Sequence, residues 1–194
     1  VAVNSVQTAV CKEFLKGTSV HVGAAIGFPL GQVSMEVKIF ETKVAIADGA
    51  DEIDYVINIG EAKEGNWDYI RNEMKEMVSL CKKSNVISKV IFEICYLTEE
   101  EIVNIAKIAK DVQPDFVKTS TGFGTGGATE DVVRLMKKTV GSCVNVKAAG
   151  GIRDWETCAK MIDAGAVRIG TSSSIKILEE FEDWKRKKEN NGSY

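Results

Sequence analysis

The sequence predicts an α/β fold made of repeated βα units around a parallel sheet. Three observations carry that expectation: short β-branched apolar runs alternate with longer segments of helical spacing, the strand runs contain no proline, and capping residues followed by acids mark the helix starts. The strand runs are 20–26, 52–58, 89–95, 115–120, 143–148 and 166–170, with 1–3 as the stub of one more. Without proline, every ladder N–H stays available. The runs read as apolar on both faces, as parallel strands covered by helices do. Between them, 66–83 places Trp67, Ile70, Met74, Met77 and Cys81 three and four residues apart, one stripe for a helix to bury. Thr98-Glu99-Glu100-Glu101 and Thr129-Glu130-Asp131 each set a capping hydroxyl before acids that suit free N–H groups and the helix dipole. Right-handed crossovers between such units give either an open doubly wound sheet or a closed barrel.

One domain over 1–182 accounts for the folded part, and the charged segment 183–194, which lacks an apolar stripe, reads as a solvated helix end running into a flexible tail. The 194 residues are 44% hydrophobic and carry a net charge of −3, so the basic excess that nucleic-acid binding requires is missing. Five cysteines without a C-x-x-C pair, and His21 as the lone histidine, spell neither a disulfide framework nor a zinc site. With no membrane-length apolar run and no signal-like start, the expectation is a cytoplasmic protein with neither membrane nor nucleic-acid partners.

Chemistry concentrates at strand ends. Asp115-Phe116-Val117-Lys118 and Val144-Asn145-Val146-Lys147 each carry a lysine where loss of water is costly. A single such lysine commonly snorkels its ammonium to solvent. Two on successive strands crowd each other, so one should release its proton near neutral pH and become a nucleophilic amine able to form an imine with an aldehyde. Asp54 sits in an apolar run and would point a carboxylate at the same place. It is either a proton relay or the structural ion-pair partner of Lys147. Gly150 and Gly151 follow one strand, and Gly170, Ser172 and Ser173 end the next and open a helix, which suits a phosphate dianion. Gly122-Phe123-Gly124-Thr125-Gly126-Gly127 matches G-x-G-x-x-G, but the acid expected about 20 residues on is replaced by a lysine region. The run therefore reads as a flexible loop.

Four segments together resemble the deoxyribose-phosphate aldolase family: Asp51-Glu52-Ile53-Asp54, Phe116 to Phe123 around Lys118, Val146 to Arg153 around Lys147, and Arg168 to Ser173. The resemblance implies a (β/α)8 TIM barrel. Such a barrel takes about 250 residues, so the chain would lack the first βα unit, with residue 1 at the family's second strand, and is expected to be poorly stable or partly inactive. It further implies an imine on Lys118, a relay of Asp54 and Lys147 in which Lys147 also depresses the amine's pKa, and phosphate contacts from Gly122, Gly150, Gly151, Ser172 and Ser173. The reaction would cleave 2-deoxy-D-ribose 5-phosphate reversibly to acetaldehyde and D-glyceraldehyde 3-phosphate, with no metal and no organic cofactor. Gly192-Ser193-Tyr194 resembles an ending whose tyrosine carries protons in some members, against the plain reading of a loose tail. Two positions depart from the family: Ala2 stands where cysteine is common, and Ile94 follows Glu93 where threonine is usual. Barrels of this kind often form homodimers. The competing functions are another phosphosugar barrel enzyme, a non-catalytic phosphosugar-binding remnant, and a dinucleotide-binding oxidoreductase.

Overall fold

The computed structural model describes residues 1–191. Seven parallel strands pair in chain order: β1 (Ala2–Asn4), β2 (Gly23–Ile26), β3 (Glu52–Val56), β4 (Ile87–Ile91), β5 (Phe116–Lys118), β6 (Asn145–Ala149) and β7 (Arg168–Gly170). The helices are α1 (Thr8–Phe14), α2 (Met35–Ala47), α3 (Ile59–Lys63), α4 (Trp67–Lys83), α5 (Glu99–Val112), α6 (Glu130–Val140), α7 (Trp155–Asp163) and α8 (Ser174–Asn191). Sequential order with helical crossovers is barrel topology rather than a doubly wound sheet, whose strand order reverses. Among the described residues β1 and β7 do not pair. Yet Val1 and Ala2 line the same cavity of about 280 Å³ as Ile169, Gly170 and Thr171, so the sheet is curled into a TIM-like barrel open along one seam.

Local sequence explains the helices. In α4, Ile70, Met74, Met77 and Cys81 are buried and Trp67 packs at the core's margin, as the spacing requires. Thr98 caps α5 with a reciprocal pair: its Oγ1 accepts from Glu101 N–H at 3.2 Å, and the Glu101 carboxylate accepts from Thr98 N–H at 2.7 Å. Thr129 Oγ1 accepts from Val132 N–H at 3.3 Å, and Asp154 Oδ1 from Thr157 N–H at 2.8 Å, opening α6 and α7.

Two expectations are revised. The strands are not apolar on both faces: Ile53, Tyr55, Val90, Val117 and Val146 join the core under the helices, whereas alternate positions carry Glu52, Asp54, Lys89, Lys118, Lys147 and Arg168 inside the curl. A side-chain period of two separates an oily outer layer from an ionic inner one. Strand ends also shift. β3 stops at Val56 because Asn58 caps α3, its Oδ1 accepting from Glu61 N–H at 3.2 Å, and β4 ends at Ile91, before Glu93 turns left-handed at φ 55°. The helix at the C-terminal end of the described residues runs to Asn191. It is exposed from Glu182 to Glu189 but braced by an Arg186–Asp183 pair at 2.5 Å and by Lys188 over the Trp184 ring at 4.6 Å.

Candidate active site

Register brings the chemistry together before any side chain bends. Asp54 pairs with Lys89 across β3 and β4, and Lys118 with Lys147 across β5 and β6. Asp54 is 2% exposed and becomes the hub: Lys118 Nζ and Lys147 Nζ both donate to Oδ2, at 2.9 and 3.0 Å, while Lys89 Nζ takes Oδ1. The two lysines expected to crowd each other therefore meet on one oxygen atom, both nearly buried.

Burial alone would raise the Asp54 carboxyl, but the ammonium groups of Lys118, Lys89 and Lys147 pull it well below the usual carboxylate range. Burial is the main force on Lys147 and lowers it to about 8. Asp54 opposes that shift, and the charges of Lys118 and Lys89 add to it. A group that ionises near 8 gives up its proton within reach of neutral pH.

Below this hub lies a second carboxylate. Glu52 accepts from Lys89 Nζ at 2.5 Å, from Arg168 Nη1 at 2.9 and 2.7 Å, and lies 2.8 Å from His21 Nδ1. Burial pushes Glu52 up, but the Lys89 charge and these hydrogen bonds bring it down to about 2.

The loops at the strand ends converge around the lysines. Gly122, Gly150 and Gly151 all have positive φ, at 90°, 87° and 79°. The backbones of Gly127 and Gly150 touch so closely that a Cβ on Gly127 would lie 2.3 Å from the Gly150 carbonyl oxygen. Ala128 N–H donates to the carbonyls of Ala149 and Gly150 at 3.1 and 3.0 Å. Expected as a flexible loop, the glycine run is thus pinned at its far end. It also stops before α6, which Thr129 caps, so the glycines do not open a helix as a dinucleotide fingerprint requires. Thr171 Oγ1 donates to Ile152 O at 2.7 Å, tying the loop after β7 to the Gly150-Gly151 turn, and the Ser173 carbonyl accepts from Ile177 N–H at 3.0 Å at the start of α8. Gly170 is needed for its size: a Cβ there would lie 2.8 Å from Ala149 Cβ and 3.3 Å from Lys147 Cε. Tyr194 lies outside the described residues.

A family model for DeoC/LacD family aldolases matches residues 6–179. The chain belongs to that aldolase family. A deoxyribose-phosphate aldolase of Lactobacillus acidophilus is 56% identical over 179 residues, 92% of this chain and 76% of the relative. One from Thermococcus gammatolerans is 52% identical over 181 residues, 92% of this chain and 80% of the relative. Among solved structures, the aldolase QR15 superposes with a TM-score of 0.86 at 42% identity, covering 94% of this chain and 81% of its own. A tetrameric deoxyribose phosphate aldolase from Aeropyrum pernix gives 0.86 at 30% identity, covering 94% and 77%.

This aldolase chain contains site residues that sequence reasoning passed over. Lys89 was read as part of an apolar run, although Ile87-Ser88-Lys89-Val90-Ile91 puts a charge in mid-strand. The available signal was its place on the strand next to Asp54. Glu52 and Arg168 were quoted only as motif letters. Glu93 was noted only for its neighbour, yet it is 1% exposed in a left-handed conformation, and its carboxylate accepts from Thr121 Oγ1 and, at 3.3 Å, from Thr121 N–H. It thereby fixes the segment between Lys118 and Gly122.

Proposed function

We propose that this chain cleaves 2-deoxy-D-ribose 5-phosphate reversibly to D-glyceraldehyde 3-phosphate and acetaldehyde through an imine on Lys118. The observation that carries the reading is the sharing of Asp54 Oδ2 by two nearly buried lysines. Two ammonium groups on one oxygen, with a third cation on the other, favour release of a proton from the pair and leave a free amine beside a proton donor. The Lys118 amine adds to the aldehyde carbon of the open-chain sugar, and water departs to give the iminium ion. The C3 hydroxyl then gives up its proton to the relay, the C2–C3 bond breaks, and its electron pair is held as an enamine. Protonation at C2 and hydrolysis release acetaldehyde and return the amine.

Asp54 and Lys147 move the protons in this scheme. Gly122, Gly150, Gly151, Gly170, Ser172 and Ser173 hold the phosphate through backbone N–H groups, glycine clearance and the positive end of α8. Protons pass among amine, hydroxyl, water and C2, and the iminium ion itself takes up the electron pair of the broken bond, so the scheme calls for no metal and no organic cofactor. We place the protein in the cytoplasm, in keeping with five free thiols, and as a homodimer, for which the exposed α2 stripe Val37, Phe40 and Val44 offers apolar surface.

Borohydride with acetaldehyde should trap one covalent adduct on Lys118, and coupled detection should register glyceraldehyde 3-phosphate from deoxyribose 5-phosphate. Lys118→Ala should lose both. Trapping without turnover of this sugar would reassign the substrate, and no adduct on any lysine would end the imine reading.

A further inference from the structure

We infer that Lys89 is a positioning residue for the lysine pair: by occupying Asp54 Oδ1 from β4, it forces Lys118 and Lys147 to share the one remaining oxygen. This inference rests on the imine reading above and adds a residue to it. Lys89 is fully buried, and its Nζ is held between the two carboxylates of β3, Asp54 Oδ1 on one side and Glu52 Oε2 at 2.5 Å on the other. The register pairs Lys118 with Ile91, not with Lys89, so Lys89 sits one inward-facing layer below the reacting amine.

The geometry shows what Lys89 does from there. A carboxylate offers two oxygens, and with Oδ1 free the two amines could divide between them, each with its own acceptor. Oδ1 is taken, so both converge on Oδ2 at 2.9 and 3.0 Å. Lys89 is itself locked from below. Arg168 of β7 holds both oxygens of Glu52 at 2.9 and 2.7 Å, and His21, before β2, lies 2.8 Å from Glu52 Oε1. The charged groups facing the pair are therefore Asp54 and Glu52 from β3, Lys89 from β4 and Arg168 from β7. Two carboxylates face four cations, and the excess is relieved where a proton can leave, at the Lys118–Lys147 pair. Without Lys89 the charge would balance more nearly, and the pair would hold its protons to higher pH.

The test is the pH dependence of borohydride trapping with acetaldehyde in Lys89→Met, which keeps the length and removes the charge. The acid limb of the trapping rate should move up by about one pH unit, so trapping at pH 7 falls about tenfold while the rates converge with wild type near pH 9.5. Lys89→Arg, which restores a cation on Oδ1, should return the limb toward its wild-type position. If Lys89→Met proves unfolded by near-ultraviolet circular dichroism, the double variant Glu52→Gln/Lys89→Met leaves the cation excess unchanged but frees Asp54 Oδ1 and removes the charge nearest the pair, and its folded form should show a smaller upward shift. An unmoved limb in a folded variant overturns the inference. Failure of the wild-type protein to trap would instead remove the imine reading on which it stands.

Discussion

Asp54 has two oxygens and three ammonium neighbours, and that mismatch is the most consequential fact at the scale of single residues. A buried carboxylate that only balanced charge and one that also carries protons respond differently to the same substitution. Asp54→Asn keeps the shape but strips Lys118 and Lys147 of their counter-ion and leaves Lys89 with Glu52 alone, and breaking such a cluster costs about 3 kcal/mol or more. A lowered urea midpoint is expected on either account. A relay role adds a further result: turnover falls at least about 100-fold, while borohydride still traps acetaldehyde on Lys118, because crowded ammonium groups without a counter-ion lose a proton more readily. Turnover that falls no further than the folded fraction would leave Asp54 as a structural ion. Lys118, Lys147 and Asp54 stood out in the sequence because the two lysines close apolar strand runs and Asp54 puts a charge inside one. Lys89 did not, because it reads as the first residue of the apolar run 89–95 until the register sets it opposite Asp54.

At the scale of elements, the close fit that bears on the site joins two loops rather than two helices. Gly127 and Gly150 lie backbone to backbone, and Ala128 N–H bridges the carbonyls of Ala149 and Gly150. Gly127→Ala must push the turn after β6 away, since its new methyl would meet the Gly150 carbonyl oxygen at 2.3 Å. Lys118 and Lys147 lie on the strands below and stay in register. The expected outcome is a KM for deoxyribose 5-phosphate raised about tenfold, a loss of roughly 1.4 kcal/mol of binding, with trapping of acetaldehyde, which has no phosphate, little changed. Equal loss for both substrates would mean that the turn shapes the amine site instead. The helices were well marked in the sequence, because Thr98 and Thr129 announce them with side chains that act locally. Strand limits were less so. Asn58 leaves the ladder to cap α3, and Glu93 leaves it to reach Thr121, and both decisions depend on neighbours distant in the chain.

For the whole molecule, the inner face of the curled sheet is an ionic layer enclosed by an apolar one, so pH acts on stability from inside the barrel. Glu52 and Asp54 both ionise below their ordinary values when folded. Carboxylates shifted in this direction contribute stability above the unfolded value, about 4, and lose it as pH falls through the folded one, about 2 for Glu52. Lys147 is shifted the other way for its kind. Folded, it releases its proton near 8, whereas the unfolded chain holds it to about 10.4, so its contribution rises with pH across that interval. The urea midpoint should therefore be level from about pH 5 to 7.5 and fall between about 4.5 and 2.5. Glu52→Gln removes one of the two groups responsible and leaves Asp54 in place, so its midpoint should start lower at pH 7 but decline less steeply in acid. A parallel decline in the variant and the wild type would place the acid sensitivity in exposed surface pairs, such as Lys12 with Asp51, rather than in the layer that holds the lysines together.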